Sequence, residues 1–317
     1  EAGYREGARL LLSAVATSFH LAQLAREETA IARADQEFNQ RQVEEARIRL
    51  RVGTGALSDV LNFEVLENAA QAEVINAQRS YHLARAALAE LMGVPQARLP
   101  QDLDLEPLGR DEPPAAILPE QVDQELDFAL AHRPDLVGSQ LAIEEAEAQV
   151  GLARAPFYPS VQLVGVLLDG ERPNDIALSQ EDFGNSIGLA LSYSLFSGGA
   201  DRARLRQAKH GLEAAKEDSR SKRLTVASEV RQAAIRLEAA RRQFELQREN
   251  EDLVRRNRDL VETEYRAGQA SLVRLNEAQR HLTAAQARLA LARVSLRNAS
   301  YNVDVATGRV IERHFLR

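Results

Sequence analysis

The segment Arg51-Val52-Gly53 returns as Arg266-Ala267-Gly268, an offset of 215 residues, and the correspondence continues along the chain. Leu57 returns as Leu272, and Ala69-Ala70-Gln71-Ala72 returns unchanged as Ala284-Ala285-Gln286-Ala287. Ala77, Ser80 and Gly93 return as Ala292, Ser295 and Gly308. A period this long excludes a short-repeat solenoid. It describes a duplicated unit in which a long helix turns at a glycine and runs back. Glu1 corresponds to Lys216, already inside the long helix of the second copy, so the offset implies that about 90 residues of a first unit are missing.

The duplication changes how the length is read. A chain of 317 residues normally suggests two globular domains. Aromatics make up only 5%, Trp is absent and Met occurs once, which is poor material for a large core. The dominance of Ala, Leu, Arg, Glu and Gln is that of long helices and coiled coils. The net charge of −7 leaves no basic footprint for nucleic acid. With no Cys there is neither a disulfide nor a thiolate metal site. No apolar run reaches the ~18 residues of a membrane helix, so any membrane contact must come from strands. The opening Glu1-Ala2-Gly3-Tyr4 runs in a helical pattern and is not a signal peptide.

The periodicity predicts two long helices over 4–50 and 56–91, joined at Gly53-Thr54-Gly55. The second carries the heptad seam Ala70, Val74, Ala77, Tyr81, Ala84, Leu88, Leu91, repeated as Ala285, Leu289, Ala292, Leu296, Ala299, Val303, Ala306. Alternating 4 and 3 spacing is coiled-coil geometry, and small Ala facing larger residues lets helices approach closely. The seam alone fits any antiparallel coiled-coil hairpin. Residues 95–119 hold six of the ten prolines and read as a non-helical connection between the units. The organisation expected is therefore a first repeat over 1–94, a linker over 95–119 and a second repeat over 120–317. The second repeat divides into a helix over 120–155, a β-hairpin over 157–196, a long helix over 200–266, a return helix over 271–306 and a C-terminal tail. A break at Arg133-Pro134 is expected in the first of these helices, because the residue before proline is pushed out of the helical region. The long helix would extend about 100 Å at the α-helical rise.

The period switches to two at the hairpin. Val161–Asp169 is β-branched and apolar, Gly170–Asp182 reads as a loop, and Phe183–Phe196 alternates. Ile187, Leu189, Leu191, Tyr193 and Leu195 fall on one face, and Ser186, Gly188, Ala190, Ser192 and Ser194 on the other. Two strands alone are marginal in water. The alternation fits a barrel wall with lipid outside and water inside, and it also fits a hairpin packed on a helix. The six histidines are scattered without metal-ligand spacing. Gly198-Gly199 stands before a helix but lacks the rest of a phosphate-loop motif, so it reads as a strand-to-helix corner. No nucleophile–base arrangement is present. No enzyme, cofactor or metal site is expected.

Pro134-Asp135-Leu136 near a helix start, the Pro159-Ser160 step and Leu195-Phe196-Ser197-Gly198-Gly199 occur in that order, and Arg-x-Gly-x-x-x-Leu turns stand at Arg51 to Leu57 and Arg266 to Leu272. In this order, with the duplication, the chain resembles the TolC-like outer-membrane efflux channel family over nearly its whole length. The resemblance implies a mainly α fold: long antiparallel coiled-coil helices in a periplasmic α-barrel, and a β-hairpin contributed to a transmembrane β-barrel. It implies a homotrimer in the bacterial outer membrane, most of its mass periplasmic, passing small molecules, drugs or metal ions from an inner-membrane pump through a periplasmic adaptor. The family barrel has twelve strands, four from each protomer, whereas this chain offers one pair. By the resemblance, Arg51, Gly53, Leu57, Arg266, Gly268 and Leu272 form the periplasmic tip that docks the adaptor, with the two leucines packing the turns closed. Asp59, Asn62, Tyr265, Arg274 and Glu277 become gate candidates, Asp59 and Tyr265 as a tie between hairpins. Arg274 stands where the family often has an acid, so a Glu277 ring beside it would be partly neutralised. Ile187, Leu189, Leu191, Tyr193 and Leu195 become the lipid-facing strand positions. Two other readings fit parts of the pattern: a soluble coiled-coil scaffold, and the adaptor itself, which would need a lipoyl-like β-domain absent from the sequence.

Overall fold

The computed structural model describes residues 1–100, 103, 105, 106, 108, 119–167 and 185–315. The fold is mainly helical: α1 (Ala2–Arg51), α2 (Leu57–Leu91), α3 (Pro119–His132), α4 (Pro134–Arg154), β1 (Ser160–Leu167), β2 (Asn185–Ser192), α5 (Ala200–Arg266), α6 (Leu272–Thr307) and α7 (Arg309–Phe315). The chain divides into two compact units, Glu1–Pro134 with Thr225–Arg317, and Asp135–Leu224.

In the first unit α1 packs along both α2 and α6. The Ala-rich seams are what make this close packing possible. Ala70, Val74, Ala77 and Leu88 are buried on α2, and Ala285, Ala292, Leu296, Ala299, Val303 and Ala306 on α6. The core is correspondingly thin, a string of small clusters along the helices. One gathers Ala22, Leu88, Ala89, Leu99 and Leu105, and another Leu24, Leu108, Ala290 and Val294. Leu99, Leu105 and Leu108 belong to the Pro-rich linker, so its described part lies against α1, α2 and α6 instead of wandering free. Polar straps hold it there: Gln23 Nε2 donates to the Glu106 carbonyl at 2.9 Å, Arg85 Nη2 to that of Pro100 at 2.6 Å, and Arg26 to that of Leu105. Much of the linker lies outside the described residues.

The chain breaks between α3 and α4 at Arg133. Pro134 opens α4, where its missing N–H costs nothing. Arg133 is 2% exposed; its Nη1 donates to Glu229 Oε2 of α5 at 2.5 Å and to the Ala306 carbonyl of α6 at 2.9 Å. The C-terminal segment read as a tail is instead the short helix α7, because Val310 and Ile311 bury themselves with Val305 against Leu12 and Tyr301.

In the second unit α4 and the first part of α5 meet at Ser139 Oγ and Ser219 Oγ, 3.1 Å apart. The two strands pair antiparallel, Ser160 opposite Ser192 and Leu163 opposite Leu189. The sequence carries the second strand on to Phe196, whereas β2 stops at Ser192. The partner of Ser192 is Ser160, and the next residue of that strand would be Pro159, which has no N–H to donate. Tyr193 and Leu195 therefore lie just past the ladder. The expected loop over 170–182, and the expected strand ends at 168–169 and 183–184, lie outside the described residues.

Candidate functional site: the paired turns and the strand face

The two helical turns are built alike through four successive backbone bonds. In the first, the amides of Val52, Gly53, Thr54 and Gly55 donate to the carbonyls of Ile48, Leu50, Arg49 and Arg49 at 3.2, 3.1, 2.9 and 3.1 Å. In the second, those of Ala267, Gly268, Gln269 and Ala270 donate to Thr263, Tyr265, Glu264 and Glu264 at 3.1, 3.0, 2.8 and 3.2 Å. Every pair keeps the 215-residue offset. Gly53 and Gly268 have φ of +81° and +75°, left-handed values that glycine adopts without penalty. These glycines end each helix and turn its last carbonyls to the chain that follows.

The two hairpins pack together beneath the turns. Phe38 of α1, Val261 of α5, and Leu275 and Ala278 of α6 form one cluster, with Tyr265 and Ala270 at its edge. Val43 and Ala46 of α1 with Val60 and Phe63 of α2 form a second, and Leu272 packs on it from the other repeat. Leu57 does not close its own turn; it is 58% exposed. The cluster nearest the turn is built from Val60, Phe63 and the incoming Leu272 instead.

Tyr265 is the centre of the polar arrangement. The Arg49 guanidinium carbon sits 4.9 Å from the centroid of its ring, and Arg49 Nη2 is held by Glu45 Oε1 at 2.7 Å. Burial raises the Tyr265 phenol pKa most; Arg49 lowers it, and Asp59 and Glu45 add to the rise. Among the described residues the phenol oxygen makes no hydrogen bond, so Asp59 acts on Tyr265 through its charge. Arg274 pairs with Glu264 across its own turn at 3.0 Å, leaving Glu277 exposed. Its backbone N–H is capped by Ser271 Oγ at 3.3 Å. Arg266 is tied to Glu262 at 2.7 Å, and Glu262 also meets Arg258 at 2.8 Å. Arg51 and Asn62 are exposed.

Sequence reasoning missed Arg49 and Glu264. A signal for them was present in the repeat itself. Arg49 occupies the position of Glu264, and Asp59 that of Arg274, so the two units carry opposite charges at the same two places.

On the hairpin, the register places apolar residues of both strands on one face. Val161 pairs with Leu191, Leu163 with Leu189, and Gly165 with Ile187. Ile187, Leu189 and Leu191 are 83%, 77% and 71% exposed, and Tyr193 and Leu195 are exposed just beyond. The opposite face sets Gln162 against Ala190 and Ser160 against Ser192. Among the described residues no helix is long and apolar enough to cross a membrane.

Long helical hairpins joined to an outward-apolar β-hairpin define a class that is helical in water and stranded in lipid. The family model for outer membrane efflux proteins matches residues 1–94 and 126–309, and the chain belongs to that family. Its place is accordingly the outer membrane, with the helical bulk in the periplasm. It is 32% identical to protein CyaE of Bordetella pertussis over 299 residues, 94% of this chain and 62% of the relative. It is 30% identical to the alkaline protease secretion protein AprF of Pseudomonas aeruginosa over 210 residues, 66% of this chain and 43% of the relative. The chain thus spans less than two thirds of either relative's length. Among solved structures, the outer-membrane channel OprN superposes with a TM-score of 0.80 at 26% identity, covering 97% of this chain and 68% of OprN.

Proposed function

We propose that this chain is the greater part of a passive export duct, with its strands in the outer membrane and its helices forming a periplasmic tube. The observation that carries the reading is the hairpin face on which Ile187, Leu189 and Leu191 stand exposed beside Val161 and Leu163, in a member of the outer membrane efflux family. A face this apolar is unfavourable in water and matches a lipid-facing barrel wall.

The ring is a homotrimer in this reading. Two unpartnered apolar stripes support it. Leu57, Leu61, Val65, Ile75 and Leu83 are exposed along α2, and Ile235, Leu246, Leu253 and Leu260 along α5. The α5 spacings of 11, 7 and 7 keep the side chains within a narrow arc of the helix. A heterologous contact between these two stripes repeats from copy to copy and closes into a ring. The paired turns form the tip that meets a periplasmic adaptor, through which an inner-membrane pump delivers cargo. Arg51, Gly53, Leu57, Arg266, Gly268 and Leu272 shape that docking end, and Asp59, Asn62, Tyr265, Arg274 and Glu277 line the gate. The cargo is a small molecule, drug or metal ion. A polypeptide cargo is a second reading, favoured by the likeness to a protease secretion protein.

The test is the native-length protein in mild detergent and then in planar bilayers. A trimer mass with stable single-channel conductance supports the duct. A monodisperse monomer without conductance refutes it. Complementation of strains lacking either a drug-efflux or a protease-secretion outer-membrane component separates the two cargoes.

A further inference from the structure

In the second unit α4 runs into β1 and α5 runs out of β2, so the two helices are antiparallel. They meet along matched seams. The shielded positions are Ser139, Ile143, Ala146, Val150 and Ala153 on α4, and Asp201, Leu205, Ala208, Leu212, Ala215 and Ser219 on α5. Both sets alternate spacings of 3 and 4, so each keeps to one stripe of its helix. The residue after each seam position lies about 100° round the helix. In an antiparallel pair these following residues share one side, because turning a helix end for end reverses its sense of winding while its seam faces the other way. That side carries Arg154 of α4 and Arg202, Arg206 and Lys209 of α5, all exposed. The register is fixed where Ser139 Oγ and Ser219 Oγ lie 3.1 Å apart. Arg154 and Arg204 are each fifteen residues from that contact towards the strands, so Arg154 arrives level with Arg202 and Arg206. Among the described residues no carboxylate pairs with these four cations, whereas Arg204, on the opposite side, is tied to Asp201 at 3.6 Å. Farther along the same side the charge is compensated, with Lys216 beside Glu213 at 3.6 Å.

We propose, resting on the export-duct reading above, that this side of the α4–α5 pair binds anionic phospholipid headgroups of the periplasm-facing leaflet. The chemistry along the chain follows the order of a bilayer boundary. Ile187, Leu189 and Leu191 on the strand face suit hydrocarbon. The strands end together, Ser160 opposite Ser192, and just past those ends stand the exposed rings of Tyr158, Tyr193 and Phe196. Aromatic side chains of this kind settle at headgroup level, where the ring body is apolar and the surroundings wet. The cations come next: Arg154 stands four residues before Tyr158, and Arg202 six after Phe196. Long basic stems lie along apolar surface and bring the charged end back towards the phosphates. From Arg202 to Lys209 is about 10 Å of helix. The headgroup layer is about 5–7 Å thick on each side of the hydrocarbon. The uncompensated charge is thus confined to the reach of that layer, and the Glu213–Lys216 pair stands beyond it. Charge complementarity selects the lipid. A zwitterionic headgroup brings an amine that competes for its own phosphate, whereas an anionic one leaves the phosphate to the protein. Arginine pairs with phosphate through two parallel hydrogen bonds, and three of the four cations are arginines. Each cation near an anionic membrane surface strengthens binding roughly fivefold.

The experiment titrates the native-length protein in mild detergent with phosphatidylglycerol or phosphatidylcholine and counts bound lipid by native mass spectrometry. Trimer mass and single-channel conductance are recorded for each variant. Phosphatidylglycerol should bind the parent roughly tenfold or more tightly than phosphatidylcholine, a preference that fades as salt is raised. The triple variant Arg202→Gln, Arg206→Gln, Lys209→Gln should lose the preference and keep the trimer mass. The triple variant Lys216→Gln, Arg220→Gln, Arg223→Gln removes the same charge farther along the same side and should keep both. Inorganic phosphate at the same concentration should not displace the lipid. Equal binding of the two lipids by the parent, or equal loss of preference in both triple variants, overturns the lipid site. So does displacement by inorganic phosphate, which would make this side a site for soluble anions. If the first triple variant loses its trimer mass, the cations hold neighbouring copies together. If it keeps the lipid preference and its conductance turns towards cations, they face the lumen. Either result refutes the lipid site and leaves the duct standing. If the parent gives no conductance in bilayers of either lipid, the export-duct reading fails and the lipid site with it.

Discussion

Arg133 offers a direct measure of how much one buried contact holds the helices of the first unit together. It ties the break between α3 and α4 to two further helices, reaching Glu229 of α5 at 2.5 Å and the Ala306 carbonyl of α6 at 2.9 Å. Arg133→Ala removes a charge-assisted hydrogen bond, about 1.5–3 kcal/mol. It also takes a donor from the carbonyl of the buried Ala306, about 1–3 kcal/mol more. Glu229 adds little to the loss, because its side chain is 44% exposed and returns to water. The expected destabilisation is about 2.5–6 kcal/mol, before any collapse around the space left behind. For a body of this size that lowers Tm by roughly 6–15 °C. Arg133→Met keeps most of the volume without a buried charge and should fall at the low end of the range. The matched control is Arg242→Ala, which removes an exposed i,i+4 pair with Glu238 and should cost at most about 1 kcal/mol. The assay is thermal unfolding of the native-length protein in detergent, followed by far-UV circular dichroism. Equal shifts for Arg133→Ala and Arg242→Ala would refute the reasoning, since they would place the worth of an arginine in its charge alone and not in its burial.

Three further outcomes are expected. Leu191→Arg should cost up to about 2–4 kcal/mol of barrel stability if its site nears the bilayer midplane, read as reduced incorporation into lipid vesicles, while Ser192→Arg on the opposite face should cost far less. Burial lowers the His20 pKa below its ordinary 6.5, aided by Arg297 and opposed by the hydrogen bond to Asn298. Neutral His20 therefore contributes stability that is present above 6.5 and lost as pH falls through the depressed value, so Tm should drop on acidification and His20→Gln should flatten that drop. Burial, then the charge of Glu73, raises the Glu28 pKa above 4.5, so the stability tied to its protonated form is lost as pH rises through the raised value; Glu28→Gln should raise Tm at neutral pH and change little below 4.5.

The fold and the tip were not equally legible in the sequence, and the reason is physical. The helices announce themselves because a seam such as Ala285, Ala292, Leu296 and Ala299 is a local pattern with a local cause. The strand face was equally readable, since alternation of Ile187, Leu189 and Leu191 needs only the pleat to place all three on one side. Where β2 ends was not readable, because that depends on Pro159 lying opposite, thirty-odd residues away in sequence. Arg133 was visible only as the residue before a proline. Its burial depends on α5 and α6 arriving beside the break, and nothing near position 133 in the chain reports that.

Arg49 is the sharper case. On its own helix it is paired, as Arg5 is, to a glutamate four residues before it, here Glu45, a pattern that ordinarily marks a solvated face. What distinguishes it is the ring of Tyr265, contributed by a helix more than two hundred positions later. No periodicity carries such a contact, because it is set by how two hairpins lie side by side. The duplication supplies the missing comparison. The two turns share their first four backbone hydrogen bonds yet carry opposite charges at the same two places. The second hairpin sets Glu264 beside Arg274 of the same turn as an ion pair, and the first sets Arg49 over Tyr265 of the other hairpin. A repeat that keeps the bonds of its turn while reversing two charges thus gives its two hairpins different side-chain partners, one within the turn and one across to the other hairpin.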